Sequence, residues 1–295
     1  MARDLIPMKQ LAWLAGFLCS LAALRAQDSV AAGKPAVPLQ KDERSVGAIL
    51  EPLTPDRPGF SDGVNILSAG VLQLESGFSL SGRTERILMD RTFIGGSPLL
   101  RLGIGHRTEL RFGGDGFRLS SHRAAGARER AGGASDFSLG AKFGLVPEKG
   151  LRPAFTLIPV LSLPVGHRVF TSAGIDPTVK LAWSKTLGES AAAGGNVSVS
   201  SLSDSGGRFT QRAVSFQLSR GVWRNWGGFW EAYLVAPSVR GGDRVWTFDT
   251  GLSYPIGRNA QFDVSVGQQI VPLARCWFVA AGLVVRRPLW LAGRK

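Results

Sequence analysis

Apolar and polar residues alternate with a period of two through most of this chain. In the segment ASDFSLGAKFGL at 134–145, Phe137 and Phe143 fall on one face of an extended strand, and Asp136 and Lys142 fall on the other. This period predicts β-strands with one apolar and one polar face. Two architectures fit: a soluble sandwich whose apolar faces form a core, and a membrane barrel whose apolar faces meet lipid while the polar faces line a lumen.

The alternation predicts an all-β chain with about twelve antiparallel strands, within a range of about ten to fourteen. The predicted strands are 71–80, 98–104, 108–113, 134–146, 151–163, 176–187, 194–203, 210–221, 227–236, 245–255, 260–270 and 276–287. Short turns alternate with longer loops, which are predicted at 81–97, 114–133, 164–175, 204–209 and 237–244. This asymmetry is typical of transmembrane outer-membrane barrels, which have short periplasmic turns and longer outer loops.

Composition favours the barrel over the alternatives. The chain has 38 Gly and 19% charged residues, and its body lacks an apolar run long enough for a membrane helix, so a helical membrane protein is not expected. The polar strand faces carry mainly Gly, Ser, Thr and Gln with single charges of both signs, whereas the outer face of a sandwich would be richly charged. This pattern suits a narrow, wet interior.

The N-terminal residues suggest an exported protein. Residues 1–26 combine basic residues, an apolar stretch and small residues before Ala26, which is the layout of a signal peptide. We expect a flexible leader over 27–68, the barrel over 69–287 and a tail over 288–295. After removal of the signal peptide only Cys276 is left, so no intramolecular disulfide is expected.

The formal net charge of +13 raises the question of an anionic partner. Nucleic acid is not expected, because an exported chain without a basic helix lacks the usual recognition elements. The expected partners are outer-membrane lipid, the barrel-assembly machinery and a small-molecule solute. The predicted loop 114–133 adds lipopolysaccharide phosphates as a candidate partner, although a merely solvated loop is the alternative. The arginines of that loop are Arg118, Arg123, Arg128 and Arg130.

Charged residues on the polar strand faces are the main candidates for a functional site. They are Glu75, Arg101, Glu109, Arg111, Asp136, Lys142, Asp176, Lys180, Glu231, Asp249 and Asp263. They could line a polar constriction that selects solutes, or form a paired ladder that fills a small barrel and conducts little.

No catalytic, cofactor-binding or metal-binding set is predicted, and an enzyme is not expected. Ser61 lies in a Gly-x-Ser-x-Gly pattern at 59–63, but no strand precedes it and no helical period follows, as a hydrolase elbow would require. His106, His122 and His167 have no evident serine partner. No Cys or His spacing points to zinc or haem.

Several short motifs resemble one family of outer-membrane barrels, associated with the phenol meta-pathway of degradation or with transport. The matching positions are Asp56, Arg57 and Pro58, then Gly70, Gln73, Glu75 and Gly77, then Arg101, Gly103, Glu109 and Arg111. The segments at 135–143 and 161–166 are also similar to that family. The resemblance implies an outer-membrane barrel for uptake of small hydrophobic or aromatic compounds.

The sequence therefore predicts a passive outer-membrane pore or facilitator for small solutes. The alternatives are a structural or lipolytic barrel without transport, and a soluble secreted β-protein. We further hypothesise that the Asp56-Arg57-Pro58 segment docks in the periplasmic mouth of the barrel.

Overall fold

The structure is a computed structural model that describes residues 52–85, 88–124, 126–271 and 275–289. The predicted signal peptide, leader residues 27–51 and tail residues 290–295 lie outside this part. The described residues form fifteen strands: β1 Val71–Glu85, β2 Leu88–Gly95, β3 Leu99–Gly103, β4 Thr108–Gly114, β5 Phe117–Ala124, β6 Ala127–Ala134, β7 Phe137–Val146, β8 Ala154–Leu163, β9 Asp176–Leu187, β10 Ala191–Asp204, β11 Gly207–Trp223, β12 Trp226–Ala236, β13 Val245–Pro255, β14 Ala260–Val271 and β15 Arg275–Pro288.

The strands form one closed antiparallel sheet. Strand β1 pairs with β15 and thereby closes the barrel, from Val71 opposite Pro288 to Thr84 opposite Arg275. The other edge of β1 pairs first with β3 and then with β2, so β2 and β3 together occupy one barrel strand. The same holds for β4 with β5 and for β6 with β7. The fifteen segments therefore make twelve barrel strands, as predicted.

The barrel is apolar outside and polar inside. The side chains of Phe137 and Phe143 are 40% and 38% exposed, whereas Lys142 between them is 0% exposed. The largest fully buried side chains are mostly polar or charged, among them Arg101, Glu75 and Glu231. A sandwich would bury the apolar faces instead, so the soluble-sandwich alternative is wrong.

Some predicted loops are strands. Strand β2 lies within 81–97, and β5 and nearly all of β6 fall within 114–133, where they form a hairpin. The predicted loop 204–209 is only a tight turn, because Asp204 already pairs with Gly207. In the β5–β6 hairpin, arginines replace apolar residues on the outer face, so the hydrophobic period fades while the backbone pairing continues.

The two ends of the barrel differ in their connections. One end, called the short-turn end, has the connections 104–107, 147–153, 188–190, 224–225 and 256–259. The opposite end, called the long-loop end, includes the connections 164–175 and 237–244. Strand β1 begins and β15 finishes at the short-turn end. In the part of the chain that the structure describes, no helix has the length and apolar character to cross a membrane.

Candidate functional site in the barrel interior

Residues 52–68, called the interior segment, precede β1 and lie inside the barrel. Their hydrogen-bond partners come from strands around the whole circumference, which places the segment within the closed sheet. The partner strands include β1, β3, β4, β7, β8, β9, β10, β11, β12 and β14. The segment rejoins the wall at Gly70, whose N–H donates to the Gly103 carbonyl at 2.9 Å and whose φ of 80° suits glycine.

Buried glutamates of the barrel wall accept the backbone N–H groups of the interior segment. The Glu75 carboxylate accepts from the N–H groups of Asp56 and Arg57 at 3.0 and 3.1 Å. Glu231 accepts from the N–H groups of Phe60 and Ser61 at 2.6 and 2.9 Å. A segment without regular secondary structure cannot pair its own amides. These carboxylates therefore accept hydrogen bonds from backbone N–H groups that would otherwise be buried without a partner.

Cations of the wall donate hydrogen bonds to the carbonyls of the same segment. The Arg101 guanidinium donates to the carbonyl oxygens of Thr54 and Asn65, at 3.1 and 2.9 Å. Lys142 Nζ donates to the Gly63 carbonyl at 2.9 Å. The barrel wall therefore binds the backbone of the interior segment as well as its side chains.

Asp56 is the central anion of the site. Its carboxylate lies 3.6 Å from Arg101 Nη1, 2.9 Å from Lys142 Nζ, and in contact with Arg111 Nη1. Burial alone would raise the pKa of Asp56, but these three positive charges hold it well below its usual range. The segment thus brings an ionised carboxylate to the point where three wall cations converge.

Asp62 forms a second bridge between the segment and the wall. Its carboxylate is 2.7 Å from Arg111 Nη2 and 2.6 Å from Lys180 Nζ. Burial opposes ionisation, yet the charges of Lys180 and Arg111 lower the pKa of Asp62.

Arg57 reaches the opposite side of the barrel. Its Nη2 lies 3.2 Å from Asp263 Oδ1. The guanidinium lies over Gly77 and Gly282, which are cross-strand partners on β1 and β15. A Cβ atom on Gly282 would collide with the Arg57 guanidinium, so the paired glycines provide the space that this arginine occupies.

Basic side chains predominate on one wall of the barrel and acidic side chains on the opposite wall. Arg101, Arg111 and Lys142 on β3, β4 and β7 form the cationic wall. Glu231, Asp249 and Asp263 on β12, β13 and β14 form the acidic wall. Strand β4 is the third and β12 the ninth of the twelve barrel strands, so the two walls face each other across the interior.

Not all predicted site residues join this cluster. Glu109 does, because it accepts the Leu67 N–H at 3.0 Å and pairs with Arg101 at 2.8 Å. Asp136 lies apart from it, where it accepts hydrogen bonds from Gly166 and Ser172 of the 164–175 connection.

Asp176 and Gln73 were also predicted, and they lie at different positions relative to the cluster. Asp176 accepts from Ser203 Oγ at 2.6 Å, also toward the long-loop end. Gln73 supports the cluster from β1 by donating to Glu75 Oε1 at 2.9 Å.

An aromatic pair borders one of two interior cavities. The Phe60 ring stacks on Tyr233 with 4.2 Å between centroids, and Phe60 is 39% exposed within the barrel. A cavity of about 290 Å³ toward the long-loop end is lined by residues that include Tyr233 and Phe278. A second cavity, of about 480 Å³, lies toward the short-turn end beside Arg57 and Pro58.

Ser61 takes part in the contact between the interior segment and the barrel wall. Its hydroxyl donates to Glu231 and lies 2.7 Å from Ser215 Oγ. The three histidines lie elsewhere: His106 in the 104–107 turn, His122 against Asp90 on β2, and His167 in the 164–175 connection. Within the described ranges, no group of His, Cys, Asp and Glu residues is arranged to hold a metal ion.

The closed twelve-stranded sheet, apolar outside and polar inside, defines a β-barrel of the outer-membrane type. The fold is similar to that of an outer-membrane channel from Pseudomonas putida F1, with a TM-score of 0.55 at 13% identity, covering 78% of this chain and 99% of that one. The KdgM porin in complex with disordered oligogalacturonate gives a TM-score of 0.45 at 11% identity over 72% of this chain and 98% of that chain.

The chain belongs to the family described as "Putative MetA-pathway of phenol degradation", whose sequence model matches residues 55–286. The resemblance inferred from short motifs is thereby confirmed. The match includes nearly all of the interior segment. Comparison with curated proteins gave no match.

Proposed function

We propose that the protein is an outer-membrane channel for small hydrophobic or aromatic solutes, and that the interior segment sets the width and chemistry of its lumen. The observation that carries this proposal is the stacked Phe60–Tyr233 pair, whose Tyr233 lines the cavity toward the long-loop end. An aromatic surface inside a polar barrel offers a solute ring a favourable stacking contact on its path.

The opposed walls support a narrow passage because they hold the interior segment in place. Their charged side chains are buried, whereas Phe60 is 39% exposed within the barrel and offers an apolar ring a contact surface. The segment is held by ionic and backbone hydrogen bonds, so small solutes would pass beside it. The wall charges therefore hold the segment, and the Phe60–Tyr233 surface selects the solute.

Permeation in liposomes tests the proposal. Benzenesulfonate and methanesulfonate share a permanently ionised group and differ in the ring, so their permeation ratio reports ring selection. Phe60→Ala should lower that ratio by about twofold to tenfold, since an aromatic contact contributes about 0.5–1.5 kcal/mol. Phe117→Ala is the matched control, because that ring is 48% exposed on the outer face.

An unchanged permeation ratio in Phe60→Ala would contradict selection of aromatic solutes by the Phe60 ring. If neither sulfonate permeates through any of the three proteins, the non-transporting barrel becomes the better account. Ester hydrolysis that is lost in Ser61→Ala would instead favour the lipolytic alternative.

A further inference from the structure

We propose that the outer face of the β2–β5–β6 sheet binds the phosphate groups of lipid A, through Arg91, Arg123, Arg128 and Arg130. This inference rests on the proposed residence in the outer membrane, with the long-loop end facing outward. It concerns a surface remote from the lumen, and its test does not depend on conduction.

Cross-strand register places the four arginines together. Arg91 on β2 is the direct partner of Ser121 on β5, which is in turn the partner of Arg130 on β6. One step toward the long-loop end, Arg123 pairs with Arg128. Direct cross-strand partners point to the same face of a sheet, so the four guanidinium groups share one surface.

The same surface continues the apolar belt of the barrel. The next row toward the short-turn end holds Leu80, Phe93 and Leu119, which are 39%, 38% and 48% exposed and directly paired. A groove of about 450 Å³ lies between this row and Arg91 and Arg130. A lipid with acyl chains below and phosphates above fits this order of apolar and cationic rows.

Charge is separated across the thickness of this sheet. Asp90 and Glu129 fall on the inner face, where both are cross-strand partners of His122. The outer face of the described parts of β2, β5 and β6 carries the arginines without an acidic residue. Such a face attracts anions, and bidentate guanidinium contacts suit phosphate oxygens.

Two neighbouring details fix the level of this surface. The Trp277 indole lies over Gly82, the direct cross-strand partner of Arg91, and tryptophan is typical of the lipid–water interface. Arg128 Nε donates to Ser121 Oγ at 2.9 Å, which orients the guanidinium along the sheet.

The structure also revises the set of arginines expected from the sequence. Arg118 lies on the inner face, where it donates to Asp115 at 2.9 Å and lies over the Phe170 ring, 5.6 Å from its centroid. Arg91, which the sequence did not group with the other arginines, takes its place on the outer face.

Binding of bisphosphorylated lipid A to the purified full-length barrel in detergent tests the site. Replacement of all four arginines by Gln should weaken binding by about tenfold or more, because charge-assisted hydrogen bonds are lost. The matched control replaces four exposed arginines at the short-turn end, Arg107, Arg152, Arg224 and Arg258, and should bind as the native protein does.

Equal binding by the fourfold variant and the native protein would overturn the proposal. Full competition by millimolar inorganic phosphate would also overturn it, since the surface would then bind free phosphate rather than lipid. Dephosphorylated lipid A provides a test on the native protein alone: it should bind about tenfold more weakly, and equal binding would contradict the role of the phosphates.

Discussion

At the scale of single residues, the site depends on buried charges that each meet several partners. Asp56 contacts Arg101, Arg111 and Lys142, so one carboxylate of the segment balances three cations of the wall. Removing one partner from a buried ionic cluster leaves charge uncompensated, which costs more than the same change at the surface.

Asp56→Asn should therefore loosen the interior segment. Loss of the central charge should destabilise docking by about 3–5 kcal/mol. Hydrogen exchange of the peptide that covers 54–67 measures this directly, because the amides of Asp56, Arg57, Phe60 and Ser61 are hydrogen bonded to wall glutamates. Exchange in that peptide should accelerate in Asp56→Asn.

Asp115→Asn is the control for this substitution, since Asp115 is 65% exposed and pairs only with Arg118 among the ion pairs of the described residues. Its 54–67 peptide should exchange as in the native protein. An equally protected peptide in Asp56→Asn would show that the ionic cluster does not hold the segment.

The sequence identified the wall charges and, through the family resemblance, Asp56 and Arg57, but not the ion pairs between them. Period-two alternation was sufficient to place Arg101, Glu109 and Lys142 on the inner face. It carried no information on Asp62 or on the Phe60–Tyr233 stack, since both depend on how an aperiodic segment folds within the barrel. The paired glycines Gly77 and Gly282 were a further signal of that segment, but only the strand register reveals that they face each other.

At the scale of elements, strands β1 and β15 both close the barrel and form the seat for Arg57. Glycine on both strands lets the guanidinium approach the sheet and reach Asp263. Small residues on the inner face therefore leave space for the interior segment. The outer face of the same strands stays apolar.

Gly282→Ala should displace Arg57 from this seat. The added Cβ would overlap the guanidinium, so the ion pair with Asp263 should be lost at a cost of roughly 1–3 kcal/mol. Gly221→Ala is the matched control, because its Cβ would meet no atom within 4 Å. Faster hydrogen exchange of the 54–67 peptide is expected in Gly282→Ala alone. Equal exchange in both variants would contradict the role of Gly282 in accommodating Arg57.

Element prediction succeeded where membrane and lumen impose opposite polarities on the two strand faces. Strands such as β7 and β14 follow this rule and were located from the sequence. Strands β2, β5 and β6 were predicted as loops, because their outer faces become cationic toward the long-loop end and the alternation no longer separates apolar from polar. Backbone pairing, which no side-chain pattern reports, extends these strands.

At the scale of the whole molecule, the barrel has a polar interior in place of an apolar core. The interior segment supplies partners for buried wall charges on both sides, from Lys142 to Asp263. We therefore expect the segment to narrow the lumen, with passage confined to the space that the two cavities mark at either end.

Single-channel conductance of the native protein and of a variant lacking residues 54–63 tests whether the interior segment limits the passage. A heat-dependent shift in gel mobility should first verify that both barrels are closed. A clearly larger conductance is expected after the deletion, because the lumen loses its internal segment. A folded deletion variant with the native conductance would contradict it, since the segment would then not limit the passage.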